Sequence, residues 1–146
     1  MSLILNRKAK FNYELIEKYS VGIELVGYEV KSLKNGQGSL DGAHITIRGQ
    51  EAFLIGMHIP PYQISNTPSD YDSRRNRKLL LTKKELSLLE NTESQRGLTI
   101  VPLSVYNKGR YIKLEIAVAR GKKKFDKRES IKKRDSERDI RRSLKN

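Results

Sequence analysis

Ser39, Asp41 and His44 lie within six residues of one another and are the residue types of a hydrolytic triad. Such a triad needs its nucleophile raised on a sharp turn, and no nucleophile-elbow pattern surrounds Ser39. The same stretch, GQGSLDG (36–42), holds three glycines. It lacks both the Walker lysine and the GxGxxG spacing that cradle phosphates, and it reads as a turn. The two histidines, His44 and His58, fit no metal-ligand spacing and read as surface residues at strand ends. With no cysteine there is no disulfide, no thiolate nucleophile and no thiolate metal site. These absences point away from an enzyme, and no cofactor or metal is expected.

The chemistry that the chain does offer is the binding of anions. Its 146 residues carry 30 Lys and Arg against 17 Asp and Glu, a formal charge of +13. The cations gather in patches at Arg7, Lys8 and Lys10, at Arg74, Arg75, Arg77 and Lys78, and at Arg120, Lys122, Lys123 and Lys124. If the fold brings them to one face they suit a polyphosphate, because each neutralised phosphate releases counterions. RNA or DNA is therefore favoured over an anionic membrane or an acidic protein. Tyr13, Tyr28, Tyr62, Tyr71, Tyr106 and Tyr111 are scattered along the same stretch. Aromatic rings on a sheet can stack on splayed bases, but most tyrosines here read as ordinary strand residues. Glu29, an acid in GYEVKSL (27–33), has two readings. It forms a strand-end ion pair of little consequence, or its carboxylate accepts a hydrogen bond from a base or a ribose hydroxyl.

The elements that must position these groups are mainly strands. FNYELIEKYSVGIELVGYEV (11–30) alternates with period two and reads as one long strand or two joined ones, with Gly22 and Gly27 as bulges or corners. KSLKNGQGSLDG (31–42) opens with a possible helical turn and ends in turn signals. Ala43–Ile59 reads as a hairpin turning at Arg48-Gly49-Gln50-Glu51. Pro60-Pro61 ends it, and the polar residues 62–77 read as a long, mobile loop. Thr82 and Glu85 form a capping box for a helix with Leu86, Leu88 and Leu89 as its apolar stripe and Gly97 as its stop. Residues 98–121 read as a second hairpin turning at Asn107-Lys108-Gly109, with Pro102 marking an edge or a bulge.

After Gly121 the alternation ends. Residues 122–146 hold 12 cations and 5 acids, with only Phe125, Ile131, Ile140 and Leu144 large and apolar. The expectation is a basic tail, disordered when free and helical on a partner. The fold expected is mainly β with helices: an OB-type closed antiparallel barrel of about six strands over residues 1–120, followed by the tail 121–146. A sandwich is the alternative. No apolar run nears the about 20 residues of a membrane span, and the cations follow the first apolar patch rather than precede it. A soluble, cytoplasmic protein with no membrane partner is expected.

GYEVKSL (27–33), RKLLL (77–81), GKKKFDKR (121–128) and NRKAKFNYELIE (6–17), in this order and spacing, resemble the SsrA-binding proteins of bacterial trans-translation across essentially the whole chain. The resemblance implies an OB-type barrel that binds the transfer-RNA-like domain of tmRNA and catalyses no bond chemistry. It implies delivery of alanyl-tmRNA, with elongation factor Tu as companion, to ribosomes stalled on messages without a stop codon. The incomplete protein is then tagged for degradation. Carried over by position, the RNA-binding groups are Asn6, Lys8, Glu29, Lys31, Arg77, Lys78, Leu79, Arg120, Lys122 and Lys123. The resemblance thus implies the RNA-contact reading of Glu29. It also implies that the tail enters the empty messenger channel and the decoding centre of the small subunit, against 16S rRNA. Phe125, Asp126, Lys127 and Arg128 make contacts there, and Ile140 and Leu144 seat a distal helix. Departures stand at Phe125, where many relatives carry His or Tyr, at Asn107 in place of Trp, and at Ser73 in place of Pro. Two other readings are a general single-strand binder and a structural ribosomal protein.

Overall fold

Alternation of apolar and polar residues lets a strand bury one face, and the computed structural model, which describes residues 2–121 (Asn66 in backbone only), is built from such strands. In chain order they are β1 (Ser2–Leu5), β2 (Tyr13–Ile23), β3 (His44–Arg48), β4 (Glu51–Ile55), β5 (Arg77–Leu80), β6 (Leu98–Lys108) and β7 (Tyr111–Gly121). Three helices intervene: α1 (Ala9–Asn12), α2 (Gly27–Lys34) and α3 (Lys83–Glu93), with a 3-10 turn at Ile64–Asn66. The strands form one sheet in the order β1-β6-β7-β2-β5-β4-β3, antiparallel at every pairing.

The mainly β expectation holds, but the sheet has seven strands and is not closed. Its end strands, β1 and β3, share no ladder. β3 curls up against β6 without pairing to it, and α3 packs on both. Leu89 of α3 is fully buried there, and Leu86 packs beside it. Glu93, the last residue of α3, accepts the Ile47 amide at 2.9 Å and the Thr46 hydroxyl at 3.2 Å. A carboxylate therefore occupies the Ile47 amide, a backbone donor of β3 that barrel closure would use. Leu88 faces outward from the expected stripe.

Both hairpins form where turn chemistry places them. Gly49 (φ +57°) and Gln50 (φ +65°) link β3 to β4. Two positive φ values in succession give the turn whose twist matches that of the strands. Pro102 pairs with Ile116 of β7 just beyond Ser104, the last residue of β6 paired to β1, and the register to β7 slips between Pro102 and Ser104. A bulge therefore forms where β6 has no strand on its other side. Gly22 is where β2 leaves β7 for β5, since it pairs with both Lys113 and Leu80. A Cβ there would meet Leu80 Cβ at 3.1 Å, so glycine permits the close approach.

The main core gathers Val21, Leu33, Leu54, Met57, Leu79, Leu114 and Ile116 inside the curl. A second cluster, Ala9, Val101, Leu103, Ala117 and Ala119, lies apart from the first, and it joins α1 to β6 and β7. Ala117 and Ala119 alternate along β7 with Ile116 and Val118 of the main core, and both are fully buried on the opposite face. Small side chains there let the short α1 sit directly on the strands.

Candidate nucleic-acid interface

Residues 27–30 continue a strand in the sequence reading, but they open α2 instead. The reason is Glu29 at the third helical position, whose Oε1 accepts the Val26 amide at 3.0 Å. The same carboxylate is fully buried, and its other contacts fill both oxygens. Arg75 Nη2 donates to Oε1 at 2.5 Å and its Nε to Oε2 at 3.1 Å. Arg77 donates to Oε2 from Nη2 at 2.6 Å and from Nε at 2.9 Å. The Tyr71 hydroxyl lies 3.0 Å from Oε2 and 2.8 Å from the Ile59 carbonyl, and it accepts from Arg77 at 3.2 Å. Arg77 spends its remaining donors on the carbonyls of Met57, Ser73 and Arg75.

Burial alone would raise the Glu29 pKa. The Arg75 hydrogen bonds, the Val26 amide and the Arg77 guanidinium outweigh it and hold the carboxyl below its usual range. Tyr71 is pushed up to about 12, first by burial and then by its hydrogen bond to the Glu29 carboxylate and that group's charge.

This network fastens the segment after Pro60-Pro61, which the sequence presents as a mobile loop. Ser32 of α2 donates to the Pro60 carbonyl at 2.6 Å, and the Ile59 amide to Ser73 at 2.9 Å. The Tyr71 ring meets Tyr28 edge to face at 4.9 Å. The segment is tied to α2 at several points.

The expected RNA-binding residues accordingly divide into inner and outer sets. Glu29, Arg77 and Leu79 are buried and present no group to a ligand. Lys8, Lys31 and Arg120 are exposed, and Lys78 is half-exposed with Glu51 at 3.2 Å. Asn6 is half-buried and donates to the Pro102 carbonyl at 2.8 Å. The outer residues do not share one cleft. Asn6 and Lys8 line a hollow with Tyr13 and His44, while Lys78 lines a groove with Leu80, Glu85 and Lys113. Arg120 pairs with Glu14, next to Tyr13 of the Lys8 hollow, while Arg77 turns inward and Arg75, a third exposed, points at Glu29. Lys122, Lys123, Phe125, Asp126, Lys127, Arg128, Ile140 and Leu144 lie outside the described residues.

Sequence reasoning missed two features. Lys113 pairs with Gly22, beside the exposed Leu80 and Tyr111, in a groove of cation, aliphatic chain and ring. The signal was there: Lys113 falls on the outer face of an alternating strand, and Leu80 follows the buried Leu79. Lys18 and Glu115 join the expected cations Arg7 and Lys10 around another hollow. The triad candidates do not assemble a site. Ser39 Oγ accepts the Asp41 amide at 3.1 Å, His44 is exposed at the start of β3, and Ser39 bridges His58. Among the described residues no acid, His or Cys cluster could hold a metal, and no helix is long and apolar enough to cross a membrane.

The SmpB protein family matches residues 3–146. An SsrA-binding protein of Gloeothece citriformis is 48% identical over 140 residues, covering 96% of this chain and 90% of the relative. One from Mesoplasma florum is 52% identical over 136 residues, covering 93% and 91%. A solved chain described under "tmRNA-SmpB: a journey to the center of the bacterial ribosome" superposes with a TM-score of 0.71 at 39% identity, covering 90% of this chain and 95% of that one. The class these matches define is one of RNA-binding proteins and not of enzymes. The chain belongs to the SmpB, or SsrA-binding protein, family.

Proposed function

We propose that the chain binds the transfer-RNA-like domain of tmRNA and carries it to stalled ribosomes in trans-translation. The observation that carries this reading is family membership over residues 3–146, together with relatives named for binding SsrA. In this reading residues 1–120 are the RNA-binding domain, a curled sheet serving as an OB-type platform. Lys8, Lys31, Lys78 and Arg120 neutralise phosphates, Asn6 supports the edge of the hollow at Lys8, and Lys113 with Leu80 and Tyr111 adds a groove suited to backbone and base together. Glu29, Arg77 and Leu79 act from inside by fixing the surface that meets RNA.

Residues 121–146, starting with Lys122 and Lys123, are the ribosomal module. A segment of net +7 is electrostatically suited to a channel walled by phosphates. Phe125, Asp126, Lys127 and Arg128 would meet the decoding centre and 16S rRNA, with Ile140 and Leu144 further along the messenger path. Elongation factor Tu with alanyl-tmRNA is the companion, and the cytoplasm is the site of action.

Competition binding near physiological salt tests the reading. Labelled transfer-RNA-like domain of tmRNA competes with single-stranded RNA of equal length. Strong preference for the folded domain is expected, and equal binding would overturn the proposal. Truncation after Arg120 should preserve most of this binding while abolishing tagging.

A further inference from the structure

Tyr62 and Lys31 sit side by side outside the buried Glu29 network. Lys31 Nζ lies 5.9 Å from the centre of the Tyr62 ring. That is the outer limit of a cation–π contact, so the ammonium holds the ring loosely and can turn to a neighbouring anion. Tyr62 is 39% exposed, and Ile64, two residues on, is 85% exposed, so a ring and an aliphatic chain face solvent on a fastened loop.

The mounting is rigid on both sides. Lys31 is on α2, two residues beyond the buried Glu29 and next to Ser32, whose hydroxyl holds the Pro60 carbonyl at 2.6 Å. Tyr62 follows Pro60-Pro61, whose rings fix φ, and the Ile59 carbonyl before them is held by Tyr71 at 2.8 Å. One carboxylate therefore sets both the helix that carries the cation and the loop that carries the ring. An aromatic face and a cation prepared in advance lose little freedom when a ligand arrives.

We infer that Tyr62 and Lys31 form a binding site for one unpaired nucleotide of an RNA. The base stacks on the Tyr62 ring, and Lys31 turns from the ring to the adjacent phosphate. Ile64 shields the stacked base from water. The site reads no base edge, so it selects an unstacked nucleotide at a set place rather than a sequence. This rests on the RNA-binding reading above and adds to it a position on the surface and a class of ligand.

The test uses the full chain and the transfer-RNA-like domain of tmRNA transcribed with 4-thiouridine. Irradiation followed by peptide mass spectrometry should place a cross-link at Tyr62. In equilibrium binding, Tyr62→Phe should stay within about twofold of wild type, because the ring remains, while Tyr62→Leu should weaken binding on the order of tenfold. Lys31→Met should lower the slope of log affinity against log salt by about one phosphate contact. Cross-links confined to other residues, or Tyr62→Leu binding as tightly as wild type, would overturn the inference while leaving RNA binding intact. A wild-type chain that fails to bind this RNA would overturn the functional reading and the inference with it. If Tyr62→Leu unfolds, the cross-link on wild type decides.

Discussion

Arg77 Nη2 stands 2.6 Å from Glu29 Oε2, and neither side chain reaches solvent. Both charges are satisfied by further partners, so the pair links α2, β5 and the segment between Pro60 and Asn76 into one unit. The net value of such a pair is small, because desolvation offsets most of the attraction. Its rupture is costly for the same reason.

Glu29→Ala should therefore lower unfolding stability by about 3–5 kcal/mol, leaving a buried guanidinium without its counter-charge. Arg77→Met should cost a similar amount. The double variant Glu29→Leu with Arg77→Met should be milder than the two single losses added together. Urea denaturation of the four proteins checks this. A Glu29→Ala variant as stable as wild type would contradict the buried pairing.

The same carboxylate makes stability depend on acid. Its folded pKa is depressed below the ordinary 4.5. The unfolded chain therefore binds the proton first as pH falls, and stability is lost there. The contribution of Glu29 is full above about 4.5 and disappears as pH drops through the depressed folded value. Glu29→Gln, which cannot ionise, should start less stable at neutral pH and decline less steeply below 4.5. Parallel declines for the two proteins would show that other carboxylates govern the acid limb.

Much of this framework is readable from sequence, but the site is less so. The hairpins and α3 carry local signals: alternation, a turn at Gly49-Gln50, and the Thr82–Glu85 box, whose two hydrogen bonds form at 3.0 and 3.2 Å. What fails is anything set by distant partners. Glu29 reads as a surface acid because the arginines that bury it are 46 and 48 residues away. Arg75 and Arg77 read as phosphate ligands because a run of cations gives no sign of which side chains turn inward. That the sheet stays open depends on Glu93 reaching Ile47, again across 46 residues. Lys8 and Lys31 stay at the surface as the sequence suggests, since exposed cations in a basic chain need no tertiary partner to remain exposed.

Tyr71 supplies the alkaline counterpart of Glu29. Its pKa is raised from 10.0 to about 12. Its stabilising effect is complete below about 10 and is lost as pH rises through about 12. Ultraviolet titration should show one phenol ionising about two units later than free tyrosine, and that late step should be missing in Tyr71→Phe. A titration near 10 for every tyrosine would mean that the hydroxyl is not held between Glu29 and Ile59.

Glu93 is the clearest case of a residue that breaks a local rule for a distant gain. An acid in the last turn of a helix opposes the helix dipole, and α3 has no basic residue in that turn to compensate. The compensation comes from β3, whose Ile47 amide and Thr46 hydroxyl both donate to the Glu93 carboxylate. β3 ends the sheet, so its outward donors would otherwise be open to a strand from another chain. Glu93→Ala should cost about 1.5–3 kcal/mol, the range for a hydrogen bond to a charged group, and should sharply accelerate hydrogen exchange at the Ile47 amide. It should also raise self-association at high concentration, measurable by sedimentation, because the freed edge then lacks its guard. Glu93→Gln keeps an acceptor oxygen and should fall between the two in both readouts. Unchanged exchange at Ile47 in Glu93→Ala would mean that α3 seals the opening by its buried Leu89 alone.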